Sequence, residues 1–225
     1  MNRAWRSSVL LAALLGVSTV AGNAQVFVRR TGGSPVADWL SLSPSAFGVQ
    51  EWRVGQWARY SMSENVGAPM PMARFRTNSI VGRRGADYWV EIQEEVTGMM
   101  RAMMPVRKLA VPFGALQPRV GTEELLMNPE DSSVRRQVLL RAGSGGGQGP
   151  SFPQGWTRVG EEEVTTPAGT FRTIHYRRGS EDLWAAGGAG PVGLVRFRSA
   201  DLEIELVSRG ETGARSLIPF GGGER

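Results

Sequence analysis

From Trp57 onward the apolar positions return with a period of two. Ala58, Tyr60 and Met62 fall on one side of a segment whose other side carries Trp57, Arg59 and Ser61. Successive side chains of a strand point to opposite faces, so this alternation predicts a strand with one side on a core and the other wet. The same rhythm sets Tyr88, Val90 and Ile92 against Trp89, Glu91 and Gln93, and Leu202, Ile204 and Leu206 against Glu203 and Glu205. Weaker versions run over Arg74 to Val81, Val134 to Leu140, Trp156 to Val164, Gly169 to Arg177, Glu181 to Ala185 and Leu194 to Ser199. Turn-forming stretches separate them at Gly82 to Gly85, Pro167-Ala168-Gly169, Gly187 to Pro191 and Ala200-Asp201. The expected fold class is mainly β, an antiparallel sheet of about nine strands. Helix is expected over Thr122 to Met127, ended by Pro129, and in a short piece from Ser34-Pro35 through Leu40.

The ends of the chain lack this rhythm. Arg3 and Arg6, an apolar run from Val9 to Val17, and small residues up to Gly22-Asn23-Ala24 give the order of a secretory signal peptide. The run is shorter than the roughly 20 residues a spanning helix needs. Residues 1–24 are therefore read as a leader cleaved after Ala24, with Gln25 as the new N-terminus. Arg3 and Arg6 are not adjacent, which points to the general secretory route. Residues 25–55 read as an N-terminal arm, 56–209 as a single β-rich domain, and 210–225 as a flexible C-terminal tail. Within the domain, residues 143–150 read GSGGGQGP, a flexible insert between two sets of strands taken as halves of one sheet.

Composition narrows the setting. Export invites disulfides, yet the chain has no cysteine, so its core alone must hold it together. The same lack excludes a thioether lipid anchor at the cleavage site. The expected location is periplasmic or secreted, with no transmembrane segment once the leader is removed. The pI of about 10.6 does not by itself point to a polyanion partner, because Lys108 is the lone lysine and the other bases are arginines, protonated far above neutrality. The pairs Arg83-Arg84, Arg135-Arg136 and Arg177-Arg178 are dispersed and lack the aromatic interleaving of single-strand binders. No nucleic-acid partner is expected.

Candidate chemistry is sparse. His175 is the sole histidine, and no nucleophile or carboxylate is nominated as its partner by spacing, so it is read as a structural or surface histidine. Glu161, Glu162 and Glu163 alternate across a strand and place at most two carboxylates on one face. Calcium gathers about six to eight oxygens, so this run is read as a solvated edge that discourages sheet extension. Gly143 to Gly149 lacks the closing Gly-Lys-Ser/Thr of a phosphate loop. No catalytic residue, metal site or cofactor is expected. Methionine is the distinctive residue: seven of nine lie between Met62 and Met104, four of them as Met99, Met100, Met103 and Met104 in GMMRAMMP. Thioethers can bind Cu(I), line an adaptable apolar groove, or fill a core.

Three stretches carry a resemblance: VGQWARYSM over Val54 to Met62, TTPAGTFRTIHYR over Thr165 to Arg177, and LWAAGGAGPVGLVRF over Leu183 to Phe197. In this order they resemble an uncharacterised exported bacterial β-rich family similar to the lipoprotein-carrier (LolA/LolB-like) half-barrels. The resemblance implies a curved sheet or half-barrel with an apolar interior, with Phe171 and Trp184 as inward anchors. The function expected from it is noncatalytic: binding of an apolar or lipid-like ligand, or of a cell-envelope protein. The candidate ligand-binding residues are Met99, Met100, Met103, Met104, Tyr88, Phe171 and Trp184. The alternative is a structural or adaptor component of an envelope assembly without a small ligand.

Overall fold

A computed structural model of the chain describes residues 47–64, 72–96, 104–114, 122–138 and 155–219. Its strands are β1 (Trp57–Glu64), β2 (Met72–Arg84), β3 (Asp87–Val96), β4 (Val106–Val111), β5 (Glu123–Met127), β6 (Val134–Val138), β7 (Thr157–Thr166), β8 (Gly169–Arg178), β9 (Glu181–Ala185), β10 (Leu194–Arg198) and β11 (Leu202–Gly210). They form one open, curved antiparallel sheet in the order β6-β5-β4-β3-β2-β1-β11-β10-β9-β8-β7. The two strand sets are thus halves of one sheet, joined where β1 pairs with β11. The short helix expected after Ser34 lies outside the described residues, as do the leader, most of the arm and the glycine-rich insert.

Eleven strands replace the expected nine. The additional pair is β4 and β5, and the second occupies the segment expected to be helical. Leu125 and Met127 of β5 pack toward Val106, Trp89 and Ile218, and the strand pairs with β4 on one side and β6 on the other. Five residues cannot sustain an isolated helix, so the pairing available on both sides decides the conformation. Strand β4 shows no alternation in the sequence because Lys108, Leu109, Ala110 and Val111 are all buried, and a strand covered on both faces has no wet side to keep polar.

The inner face of β1 and of β8 to β11 is apolar. Ala58, Tyr60, Leu194, Ile204 and Leu206 are wholly buried, and Met62, Leu183, Leu202 and Phe197 nearly so. Phe47, Val49, Trp52, Ala189 and Val192 complete this core. Trp52 ties it down by donating from Nε1 to Pro191 O at 2.7 Å and by packing edge-on against Tyr88 and Phe113, each 5.4 Å away. The loop between β9 and β10 comes so close that a Cβ on Gly190 would lie 2.9 Å from Ala58 Cβ; the residue also has φ +85°, so glycine is required there twice over. Side chains also join strands that are not neighbours in the sheet. Arg196 Nη2 on β10 donates to Thr165 O on β7 at 3.0 Å, and the Arg209 guanidinium on β11 sits 5.5 Å over the Phe171 ring on β8.

Candidate functional site

Cross-strand register places three polar groups on the sheet, and each is a candidate site. The first lies on the inner face of the N-terminal half. Tyr60, Arg76 and Glu94 are successive partners across β1, β2 and β3, and Leu109, Glu124 and Gln137 are partners across β4, β5 and β6. Arg76, 2% exposed, donates to Glu94 Oε1 at 3.0 Å and to Asn78 Oδ1 at 3.1 Å. Arg107 donates to Glu124 Oε1 at 2.6 Å, and Gln137 to Glu124 Oε2 at 2.5 Å. Burial pushes the Arg76 guanidinium down to about 10, Glu94 opposing that and Arg107 adding to it; the group still carries its charge at neutral pH. Burial also pushes the Tyr60 phenol upward, so it stays neutral. An interior bearing ion pairs differs from the wholly apolar one that the sequence resemblance implies.

The second group surrounds His175 on the outer face. His175 Nε2 lies 2.7 Å from Asp182 Oδ1, and Nδ1 lies 3.0 Å from Glu162 Oε1. Trp184 stacks on the imidazole at 4.6 Å and 16° and donates from Nε1 to the same Glu162, while Arg177 Nε donates to Asp182 at 2.8 Å. Both ring nitrogens face acceptor-only oxygens, so each contact is a hydrogen bond when that nitrogen carries a proton. Burial raises the Asp182 carboxyl, but bonds from Arg177 and His175 outweigh it and hold the group below the usual carboxylate range. With both nitrogens engaged by carboxylates, the imidazole faces no nucleophile to activate. Glu162 is therefore more than part of a solvated edge, although β7 is indeed a terminal strand.

The third group lies on the outer face of β3 and β4, beneath the C-terminal segment. Glu91 and Lys108 are register partners, 4% and 0% exposed. Glu91 accepts from Ser216 Oγ at 2.7 Å, from Leu217 N at 3.0 Å and from Ile218 N at 3.3 Å. Lys108 Nζ donates to Ile218 O at 3.0 Å and sits 5.3 Å from the Trp89 ring centre. The Ile218 side chain, wholly buried, completes a second apolar cluster with Val81, Trp89, Val106, Ala110 and Leu125. Residues 214–219, assigned by sequence to a flexible tail, are thus held against the sheet. Two buried charges and a waiting apolar bed supply the reason, since a buried charge demands partners.

The seven residues nominated from sequence are dispersed. Met99, Met100 and Met103 lie outside the described residues, and Met104 stands exposed just before β4. Tyr88 belongs to the inner core beside Trp52, with Arg83 over its ring at 4.6 Å. Phe171 lies under Arg209 and, like Trp184, is on the face that carries His175, opposite Leu183. Sequence reasoning missed Arg76, Glu94, Glu91 and Lys108. Glu94, between Ile92 and Val96, and Lys108, between Val106 and Ala110, show in sequence as charges whose neighbours two residues away are apolar; Arg76, between Arg74 and Asn78, carries no such signal. Among the described residues no group of three or more acidic or histidine side chains is arranged for a metal, and no helix is long and apolar enough to cross a membrane.

No family model and no curated protein matches the chain. Among solved structures, it is similar to a lipoprotein candidate from Parabacteroides distasonis at 12% identity and a TM-score of 0.36, over 71% of this chain and 97% of that one. It is also similar to a protein with a YmcC-like fold from Bacteroides fragilis at 10% identity and a TM-score of 0.34, over the same shares. A third is a candidate outer membrane lipoprotein-sorting domain from Vibrio parahaemolyticus, at 9% identity and a TM-score of 0.29, over 74% of this chain and 88% of that one. These are of the kind named from the sequence motifs, at scores too low to carry an argument about function.

Proposed function

We propose that this protein is a noncatalytic component of the bacterial cell envelope that works by binding a protein partner. The observation that carries this reading is the closure of the inner face: Ala58, Leu194, Ile204 and Leu206, each 0% exposed, are packed with the chain's own Phe47, Val49, Trp52 and Val192. An apolar surface already used as a core is not available to an acyl chain. The charged groups are likewise engaged with one another, as His175 is with Glu162 and Asp182, which supports a role without acid–base chemistry. The leader-like order through Ala24 supports export, and N-terminal sequencing of the exported protein is expected to begin at Gln25.

The alternative, an apolar or lipid-like ligand, has one specific observation in its favour. Met104 is 37% exposed at the end of the methionine-rich stretch, and a flexible thioether suits an adaptable apolar contact. Organic extraction of protein purified from its native envelope separates the two. Partner binding predicts no stoichiometric lipid; one lipid per chain would replace this reading with a carrier.

A further inference from the structure

We propose that the outer face of β3 and β4 is a docking groove for an extended peptide, which residues 214–219 fill in cis and which a partner segment carrying a branched aliphatic residue takes over. The proposal rests on the partner-binding reading above and says where and how the partner is held. Its first support is that recognition of the C-terminal segment is directed mainly at the backbone. Glu91 receives the amides of Leu217 and Ile218, and Lys108 donates to the carbonyl of Ile218. Every extended peptide offers these groups, so affinity of this kind belongs to no single sequence.

The side-chain requirement is correspondingly small. The Ser216 hydroxyl donates to Glu91, and Ile218 alone is buried, among Val81, Trp89, Val106, Ala110 and Leu125, while Leu217 is 48% exposed and Arg215 is exposed. The recognised pattern is one branched aliphatic residue, two positions after a hydroxyl, between an acid that reads the hydroxyl and backbone amides and a base that reads a backbone carbonyl. The segment also joins no strand ladder: it leaves the sheet after Gly210, is fastened at its root by Ala214 N to Gly55 O at 2.9 Å, and is then held by the bonds described.

Two further observations point to a ligand other than the chain's own end. Trp89, 0% exposed and part of the Ile218 bed, keeps a buried Nε1 donor that has no acceptor among the described residues. A buried donor without a partner costs about 1–3 kcal/mol, so an occupant able to accept from it recovers a cost that the cis segment leaves in place. Beside the bed, and sharing Ala110 with it, is a cleft of about 550 Å³ lined also by Arg84, Asp87, Thr122 and Glu123. A longer partner peptide meets charged positions there.

The test uses the full chain with Ile218→Asp, which places a charge in the apolar bed and releases the segment, and a fluorescein-labelled synthetic peptide of residues 214–219 as the probe. A tethered segment competes at an effective concentration of order millimolar. The released chain is therefore expected to bind the peptide at least tenfold more tightly than the unsubstituted chain, and a peptide with the same Ile218→Asp change is expected not to bind. Absence of binding to a released chain with unchanged near-ultraviolet circular dichroism overturns the proposal, as does equal binding by both chains. A dimer of the unsubstituted chain that has exchanged its C-terminal segments overturns it in favour of a second copy as the occupant. Should Ile218→Asp not fold, Ile218→Ala shortens the anchor without adding charge and carries the same comparison. Lipid extraction reports on the partner-binding reading independently of all these outcomes.

Discussion

In the strands from β8 to β11 the inner face is greasy and the charge stands outside. Leu183, Leu194, Leu202, Ile204 and Leu206 are at most 2% exposed, while across the sheet Arg196 pairs with Glu205 and Arg198 with Glu203. The strands from β2 to β5 carry charge into both faces: Arg76 paired with Glu94 and Arg107 with Glu124 inside, and Glu91 and Lys108, each bonded to the C-terminal segment, outside. The first half is held by removal of apolar area from water, at about 25 cal/mol per Å², a non-directional effect largely indifferent to salt. The second half depends on each charge keeping its partner, because an orphaned buried charge costs several kcal/mol. Within one sheet, then, one half is a passive scaffold and the other is sensitive to what lies against it.

The contrast is sharpest at Arg76. Replacement by alanine orphans the Glu94 and Asn78 contacts and is expected to lower stability by about 4 kcal/mol, read from the urea midpoint; a loss below about 1 kcal/mol would erase the distinction between the halves. In the scaffold half, Ile204→Ala is expected to cost on the order of 3 kcal/mol, by the same amount in low and high salt. A strong salt dependence there would show that electrostatics reaches across the sheet. Acid titration probes the His175 group. Asp182 is held below the ordinary carboxylate range, so it contributes stability above its unfolded value of about 3.9 and loses it as the pH falls below that. Asp182→Asn is expected to flatten this part of the stability profile, and an unchanged acid limb counts against the assignment. The smallest effect belongs to Arg198, whose pair with Glu203 is 55% and 31% exposed on its two sides. Arg198→Ala is expected to cost about 0.2–1 kcal/mol, and a larger loss would mean that the outer ladder matters as much as the buried pairs.

The legible parts of the molecule were those in which one strand face is wet. Ala58, Tyr60 and Met62 on β1 and Leu202, Ile204 and Leu206 on β11 alternate with polar residues, and these two strands prove to be the centre of the sheet. The regions that sequence alone did not reveal are covered on both sides. The alternation of Tyr88, Val90 and Ile92 marks β3 as a strand, but Trp89 and Glu91, expected on its wet face, are buried, and β4 hides a lysine in the middle of an apolar run. The candidate site was less legible still, because Glu91, Lys108 and Ile218 are separated by up to 127 residues, and nothing local marks a carboxylate as the acceptor of a distant backbone.

The amino-acid order by itself determined the β class, the division into two strand sets and the alternating central strands, because these follow from a period of two and from turn residues, both local properties. Which strands lie beside which, that β5 is not a helix, that His175 sits between Glu162 and Asp182, and that the C-terminal segment closes over Glu91 and Lys108 were decided only by the tertiary structure. Those outcomes depend on partners brought from far along the chain, and the free energy of a buried charge or an unpaired strand is set by what packs against it.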